Sequence, residues 1–305
     1  MEVCSALVST LVWRGVMPAT TTPFLPDLSI DHDFVAKHAN WLVDHGCTGI
    51  VAPGSLGEGA TLGFDEKVEL MKSLVDSVGA RVPVVAAVSA LSTDEAVRFA
   101  KEAERVGCCG LMVLPPYVYR GTWEEMRFHF SSIFMATGLS CMLYNNPIAY
   151  GTDVVPTQVR ELADRYPMMH AVKESSADIR RVTEIKALCQ DRLAIFVGVD
   201  DLIVEGIAAG AVGWVAGLVN ALPKESVELF NLASNGQVDA ARKLYEWFLP
   251  LLRLDTTFDF VQLIKLVQAE VGMGNVRVRP PRLELSGNHR DQVVKLIQDS
   301  LQSRG

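Results

Sequence analysis

The chain has 305 residues, 49% hydrophobic, 21% charged and 8% aromatic, a composition that excludes disorder across its whole length. Lys and Arg number 28 against 36 Asp and Glu, a net charge of -8, and no stretch gathers enough basic residues to neutralise a run of phosphates, so nucleic acid is not expected as a partner. Mean hydropathy is high at +0.21, yet no run of about 18 apolar residues exists to cross a bilayer.

At about 150 residues per domain the length suits two domains, or one large α/β barrel with an appendage. Residues 1–13 carry an acidic Glu2 and no basic segment, so no secretory signal is expected and a cytoplasmic protein is. From there, short runs rich in β-branched residues alternate with amphipathic segments. Strands are predicted over 15–20, 49–52, 82–88, 110–114, 141–145, 170–173, 194–198 and 212–216. Helices are predicted between them, over 31–44, 65–78, 93–106, 123–135, 156–165 and 179–189, with Ser92 or Thr93 and Thr157 as capping residues.

Eight such units in about 220 residues match a (β/α)8 TIM barrel, in which catalytic groups stand at the C-terminal ends of the strands. A doubly wound sheet is the alternative, but no GxGxxG or GxxxxGK[ST] follows a predicted strand. Beyond Pro223 the strand pattern stops and helical periodicity runs through 225–234, 238–254, 258–271 and 289–302, interrupted by Pro280 and Pro281. The reading is therefore a barrel over 1–222 and a C-terminal helical domain over 223–305. Six cysteines and six histidines are scattered without CxxC, HxH or HExxH spacing, so no metal site is expected. The vicinal Cys108 and Cys109 read as small apolar residues leading into a strand.

The strand ends carry the candidate chemistry. Lys173 closes the sixth strand behind the apolar Ala171 and Val172, where burial disfavours an ammonium and favours the neutral amine that a Schiff-base nucleophile requires. A snorkelling lysine, or one paired with Glu174, fits the position equally well. The glycine-rich turn 54–59 can present backbone N–H groups to a carboxylate, with the Ser55 hydroxyl beside them, or be a tight turn with no ligand. Tyr144 ends the fifth strand and can pass a proton across the barrel mouth, or be a core tyrosine with a satisfied hydroxyl. Asp200 and Asp201 read as structural or turn-forming, Glu58 as a cap of the following turn or a brace of its own loop, and Arg279 and Arg282 as anchors of the helical domain.

Together, TTTPF (20–24), GSLGE (54–58), YNNP (144–147), VKESS (172–176) and GVDD (198–201) resemble the dihydrodipicolinate synthase / N-acetylneuraminate lyase family of pyruvate-type class I aldolases, collinearly from about Val12 onward. The resemblance implies a TIM barrel with a helical C-terminal domain and a homotetramer built as a dimer of dimers. It implies a lyase that needs no cofactor and acts on a small-molecule 2-oxo acid. Lys173 would form the Schiff base, Tyr144 would be the acid/base, Ser55 would link the Tyr144 hydroxyl into a relay, and the N–H groups of Ser55 and Leu56 would hold the substrate carboxylate.

Three positions depart from the synthase pattern. Leu56 stands where the synthase has a second threonine, Ala149 where it has the arginine that binds the aldehyde's carboxylate, and Val118 where it has a relay tyrosine supplied by the neighbouring subunit, unless Tyr119 substitutes. Each change removes a polar group. The expectation is a less charged pocket wall of Leu56, Ala149, Tyr150 and Val118, with Val215 also in the substrate-binding set. Such a wall suits a hydroxylated 2-oxo acid rather than a dicarboxylic acceptor. Candidates are sugar-derived 2-keto-3-deoxy acids, 4-hydroxy-2-oxoglutarate and 4-hydroxy-pyrroline-2-carboxylate. The synthase reaction itself, a non-catalytic 2-oxo acid binder and a phosphate-binding barrel are the alternatives, the last opposed by the two acids at 200 and 201.

Overall fold

Residues 11–304 are described by the structure, a computed structural model; Cys4 and most of the segment read for a secretory signal lie outside the described residues. Eight parallel strands run β1 (Gly15–Pro18), β2 (Ile50–Ala52), β3 (Val84–Val88), β4 (Gly110–Val113), β5 (Ser140–Asn145), β6 (Met169–Glu174), β7 (Ala194–Val197) and β8 (Gly213–Ala216). They pair in the order β1-β8-β7-β6-β5-β4-β3-β2. The ring is completed between β1 and β2 by an Ala19–Val51 bridge and by the Thr20 N–H donating to the Val51 carbonyl at 3.0 Å. This is the expected TIM barrel. Its strands are short and almost wholly buried, which is why they appear in the sequence as continuous apolar runs rather than as alternating ones.

The outer helices are α1 (His32–Asp44), α2 (Phe64–Val78), α3 (Thr93–Val106), α4 (Trp123–Phe134), the single turn α5 (Pro147–Tyr150), α6 (Pro156–Arg165), α7 (Arg180–Cys189) and α8 (Ile203–Ala208). Ser92 caps α3 by accepting the Glu95 N–H. At α6 the expected cap Thr157 lies inside the first turn instead. Val155 precedes the helix, its N–H taken by the Gln158 side chain at 3.0 Å, and Pro156 opens it because a first-turn residue needs no donor. As a regular strand β1 ends at Pro18, short of the expected 20, because from there the chain passes from β8 to β2: the Ala19 N–H donates to the Ala216 carbonyl at 2.9 Å and the Thr20 N–H to the Val51 carbonyl at 3.0 Å.

After β8 the chain is helical: α9 (Pro223–Ser234), α10 (Val238–Leu252), α11 (Phe260–Glu270) and α12 (Gly287–Gln302). These helices share one continuous hydrophobic cluster with the barrel, through Phe248, Leu251, Val261, Ile264 and Val267. A polar seam joins them to the loop after β2. Glu58, fully buried, pairs with Lys265 of α11 at 2.6 Å and accepts the Arg279 N–H at 2.9 Å, while Arg282 approaches it at 3.8 Å. Arg279 also grips the Leu28 carbonyl and the Glu66 carboxylate. Glu58 thus braces its loop by reaching across to the C-terminal segment.

Candidate active site

Register sets the centre of the site. Tyr144 on β5 and Lys173 on β6 are paired positions of adjacent strands, so both side chains leave the sheet on the same face. The Lys173 ammonium position lies 4.1 Å from the centre of the Tyr144 ring. Both residues are buried, 6% and 5% exposed. Glu174, the next residue, points the other way. Its carboxylate takes the Asn145 side-chain amide at 3.1 Å and the Ser176 N–H at 2.7 Å, and burial raises its pKa. Among the described residues no carboxylate comes within ion-pair distance of Lys173, so the pairing with Glu174 is not formed.

These two residues face a cavity of about 650 Å³ at the C-terminal ends of the strands. Ser55 and Leu56 line it from the loop after β2, Ala149 and Tyr150 from α5, and Val215 from β8, so the residues assigned to the site in the sequence meet in one place, Val118 excepted. Among the described residues, no protein acceptor takes the N–H groups of Ser55 and Leu56, which leaves them for an anionic ligand. Val118 stands apart, 92% exposed in this chain, and Tyr119 is spent on Glu125 at 2.9 Å.

One expected link takes a different form. Ser55 Oγ is hydrogen-bonded to the Tyr150 hydroxyl, whereas the Tyr144 hydroxyl receives its bond from Asn146 Nδ2 at 3.0 Å. Asn146 is held for this by its Oδ1, which accepts the Ala149 N–H and so caps α5. Tyr150 sits between two other tyrosines, its ring 5.6 Å from Tyr117 and 5.8 Å from Tyr144. Burial, then the neighbouring Tyr144 and Tyr117, raise the Tyr150 pKa well above its usual value. Tyr117 and Asn146 were not assigned roles from the sequence. The proline pair before Tyr117 and the asparagine after Asn145 were the available signals.

Two acids lie behind and above Lys173. Asp200 is fully buried and accepts from Trp214 Nε1 at 3.0 Å and from the backbone of Gly217 and Leu218 at 3.1 and 2.8 Å. Desolvation pushes its pKa up to about 6, while these donors and Lys173 act to hold it down. Its turn-forming role is therefore the tie between β7 and β8. Asp255, Thr256 and Thr257 come down from the turn between α10 and α11, and Arg282 from the following segment, to complete the cavity. Ser175 contributes a buried hydroxyl with no partner among the described residues. It crowds the same spot as the lysine: a Cβ on Gly198 would stand 2.0 Å from Ser175 Oγ and 2.4 Å from Lys173 Cε. Gly198 is what leaves room for the lysine. No three His, Cys, Asp or Glu side chains among the described residues converge as a metal-binding group.

The profile of the Dihydrodipicolinate synthetase family matches residues 12–300. The chain belongs to this family. Similar curated proteins include the 4-hydroxy-tetrahydrodipicolinate synthases of Desulforamulus reducens, 33% identical over 81% of this chain and 83% of that protein, and of Methanocaldococcus jannaschii, 30% identical over 94% and 99%. Among solved structures, a dihydrodipicolinate synthase of Bacillus anthracis superposes with a TM-score of 0.91 at 29% identity, covering 97% of this chain and all of that one. The Aquifex aeolicus dihydrodipicolinate synthase gives 0.90 at 25%, covering 94% and 98%. Relatives in the dihydrodipicolinate synthetase family are lyases, and this chain is a lyase of that family. No helix among its described residues is long and apolar enough to cross a membrane.

Proposed function

We propose that the chain is a Schiff-base lyase that cleaves, dehydrates or deaminates a hydroxylated 2-oxo acid in catabolism, with Lys173 as nucleophile. The observation that carries this reading is the pairing of Lys173 with Tyr144 at the floor of the cavity, beside the N–H groups of Ser55 and Leu56. The substrate carboxylate would rest on those N–H groups, which puts the C2 carbonyl over Lys173 Nζ and makes the attack effectively unimolecular. The amine adds to C2, water leaves, and the protonated imine draws the electrons of a breaking bond at C3 into an enamine. Hydrolysis of the imine then consumes one water and frees the lysine. Tyr144 would carry protons to and from the reacting carbons, while Tyr150 and Ser55 hold a donor pair at the carboxylate end.

The apolar Leu56 and Ala149 support a substrate without a second carboxylate. The names of the curated relatives favour a second reading, the synthase reaction itself. A turnover panel separates the two: 2-keto-3-deoxy sugar acids and hydroxypyrroline carboxylate on one side, pyruvate with aspartate semialdehyde on the other. Consumption of the first group alone is expected, and turnover confined to the second would overturn the reading. The exposed apolar side chains of Leu91, Val118 and Phe128 support assembly into a homo-oligomer, with a homotetramer as the proposed state, and the composition supports a cytoplasmic enzyme.

A further inference from the structure

The acids around Lys173 differ in what they are bonded to. Asp200 has both oxygens occupied by N–H groups, and Asp201 lies 3.5 Å from Arg253. Asp255 has no hydrogen bond or ion pair with any described residue, although the residue is half-buried at the edge of the cavity and its Oδ1 is enclosed. Its Oδ1 is shut against Gly217, where a Cβ would stand 2.0 Å away, so the bare glycine is what admits the side chain. The whole carboxyl packs against that glycine, its Oδ2 2.7 Å from the same position, at a point where the residue lines the cavity. An enclosed carboxyl oxygen with no partner is costly, and a protein that keeps one at the rim of a ligand cavity leaves its hydrogen-bonding capacity to the ligand. Burial, together with the charges of Asp200 and Asp201, raises the Asp255 pKa well above the usual carboxylate range against the pull of Lys173. The group is thus suited to donate as well as accept.

We infer that Asp255 is a specificity-determining residue, which hydrogen-bonds a hydroxyl on the substrate chain beyond the imine carbon and excludes a second carboxylate from that end of the cavity. The inference rests on the Schiff-base reading and narrows it. A hydroxyl fits both the donor and the acceptor capacity of the group, whereas a carboxylate can use only the donor and is set against the charge of Asp200, since Asp201 is paired with Arg253 and Arg282 is the cation that lines the cavity. Of the hydroxylated acids considered, 2-keto-3-deoxy sugar acids meet this requirement and 4-hydroxy-2-oxoglutarate, with its second carboxylate, does not. The neighbouring threonines do not compete for the role. Thr256 Oγ1 is bonded to the Arg253 carbonyl and Thr257 Oγ1 to Asp259.

The test compares the full-length wild type with Asp255→Asn and Asp255→Ala, using a 2-keto-3-deoxy sugar acid, the same acid lacking the C5 hydroxyl but keeping the C4 hydroxyl that the reaction consumes, and pyruvate for trapping alone. Imine formation is read by borohydride trapping with each acid, and KM and kcat by consumption of the two sugar acids. The expected result is a kcat/KM for the hydroxylated acid reduced about tenfold or more in Asp255→Ala and by less in Asp255→Asn. The discrimination between hydroxylated and deoxy acid should collapse in step. Equal losses for both acids, or no loss, would mean that Asp255 only shapes the turn and would overturn the inference. Failure of the wild type to form an imine with pyruvate would instead bring down the Schiff-base reading, and this inference with it.

Discussion

The floor and the roof of the cavity are built on different principles. The floor is a product of sheet register: Tyr144 and Lys173 occupy paired positions on β5 and β6, and neither can move without breaking a ladder that is buried on both faces. The roof is carried by the turn between α10 and α11 and by the segment around Arg282. It is held over the barrel by side-chain contacts between distant parts of the chain, chiefly Lys265 with Glu58 and His38 with Asn220 and Gln268. On the proposed function the reaction type would reside in the floor, where position is over-determined, and the roof would add to the substrate choice begun by Leu56 and Ala149, since it can change without disturbing the strands.

The largest expected effect lies in the floor. Lys173→Met removes the only nucleophile proposed for imine formation, and turnover of any 2-oxo acid should fall by at least about 10³-fold with the fold retained by circular dichroism. Turnover above that level would place the chemistry elsewhere. Tyr144→Phe keeps the ring beside Lys173 but removes the hydroxyl that Asn146 supports, and kcat should drop by about 10²-fold. If KM rose instead with kcat unchanged, Tyr144 would be a binding group only.

The next effects concern the seam below the roof. Lys265→Met leaves Glu58 without its closest cation, and unfolding in urea should show a loss on the order of 3 kcal/mol. A neutral outcome would mean that Arg279 and Arg282 suffice to hold the loop. His38 is buried, its Nε2–H donating to the Asn220 carbonyl at 2.8 Å, and desolvation lowers its pKa to about 4 from 6.5. Because the folded protein binds this proton more weakly than the unfolded chain, the contribution of His38 is fully present above pH 6.5 and is lost as pH falls toward about 4. His38→Gln should flatten that part of the stability profile, by a smaller amount than the Lys265 change. An unaltered slope would assign the acid sensitivity to other groups.

What the sequence makes legible follows the same division. Apolar β-branched runs mark all eight strands, because a strand buried on both faces admits little else, and the motifs at their ends mark Ser55, Tyr144 and Lys173. The helical nature of the C-terminal segment is equally plain from its periodicity. The relay is read less well: Ser55 meets Tyr150 and not Tyr144, because the direction of a glycine-rich loop depends on how it packs, here with the Thr22 hydroxyl on the Gly57 carbonyl at 2.6 Å. Asp255 has no local signature. Its place above Gly217 arises only when α10 and α11 dock on the barrel, a tertiary event that leaves no periodicity or motif behind.

The central claim is that Lys173 forms the imine, and its most direct test is peptide mass spectrometry of the wild-type protein after borohydride reduction in the presence of pyruvate. The account predicts a single adduct of reduced pyruvate, confined to the peptide that carries Lys173. An adduct on another lysine, or none at saturating pyruvate, would contradict it.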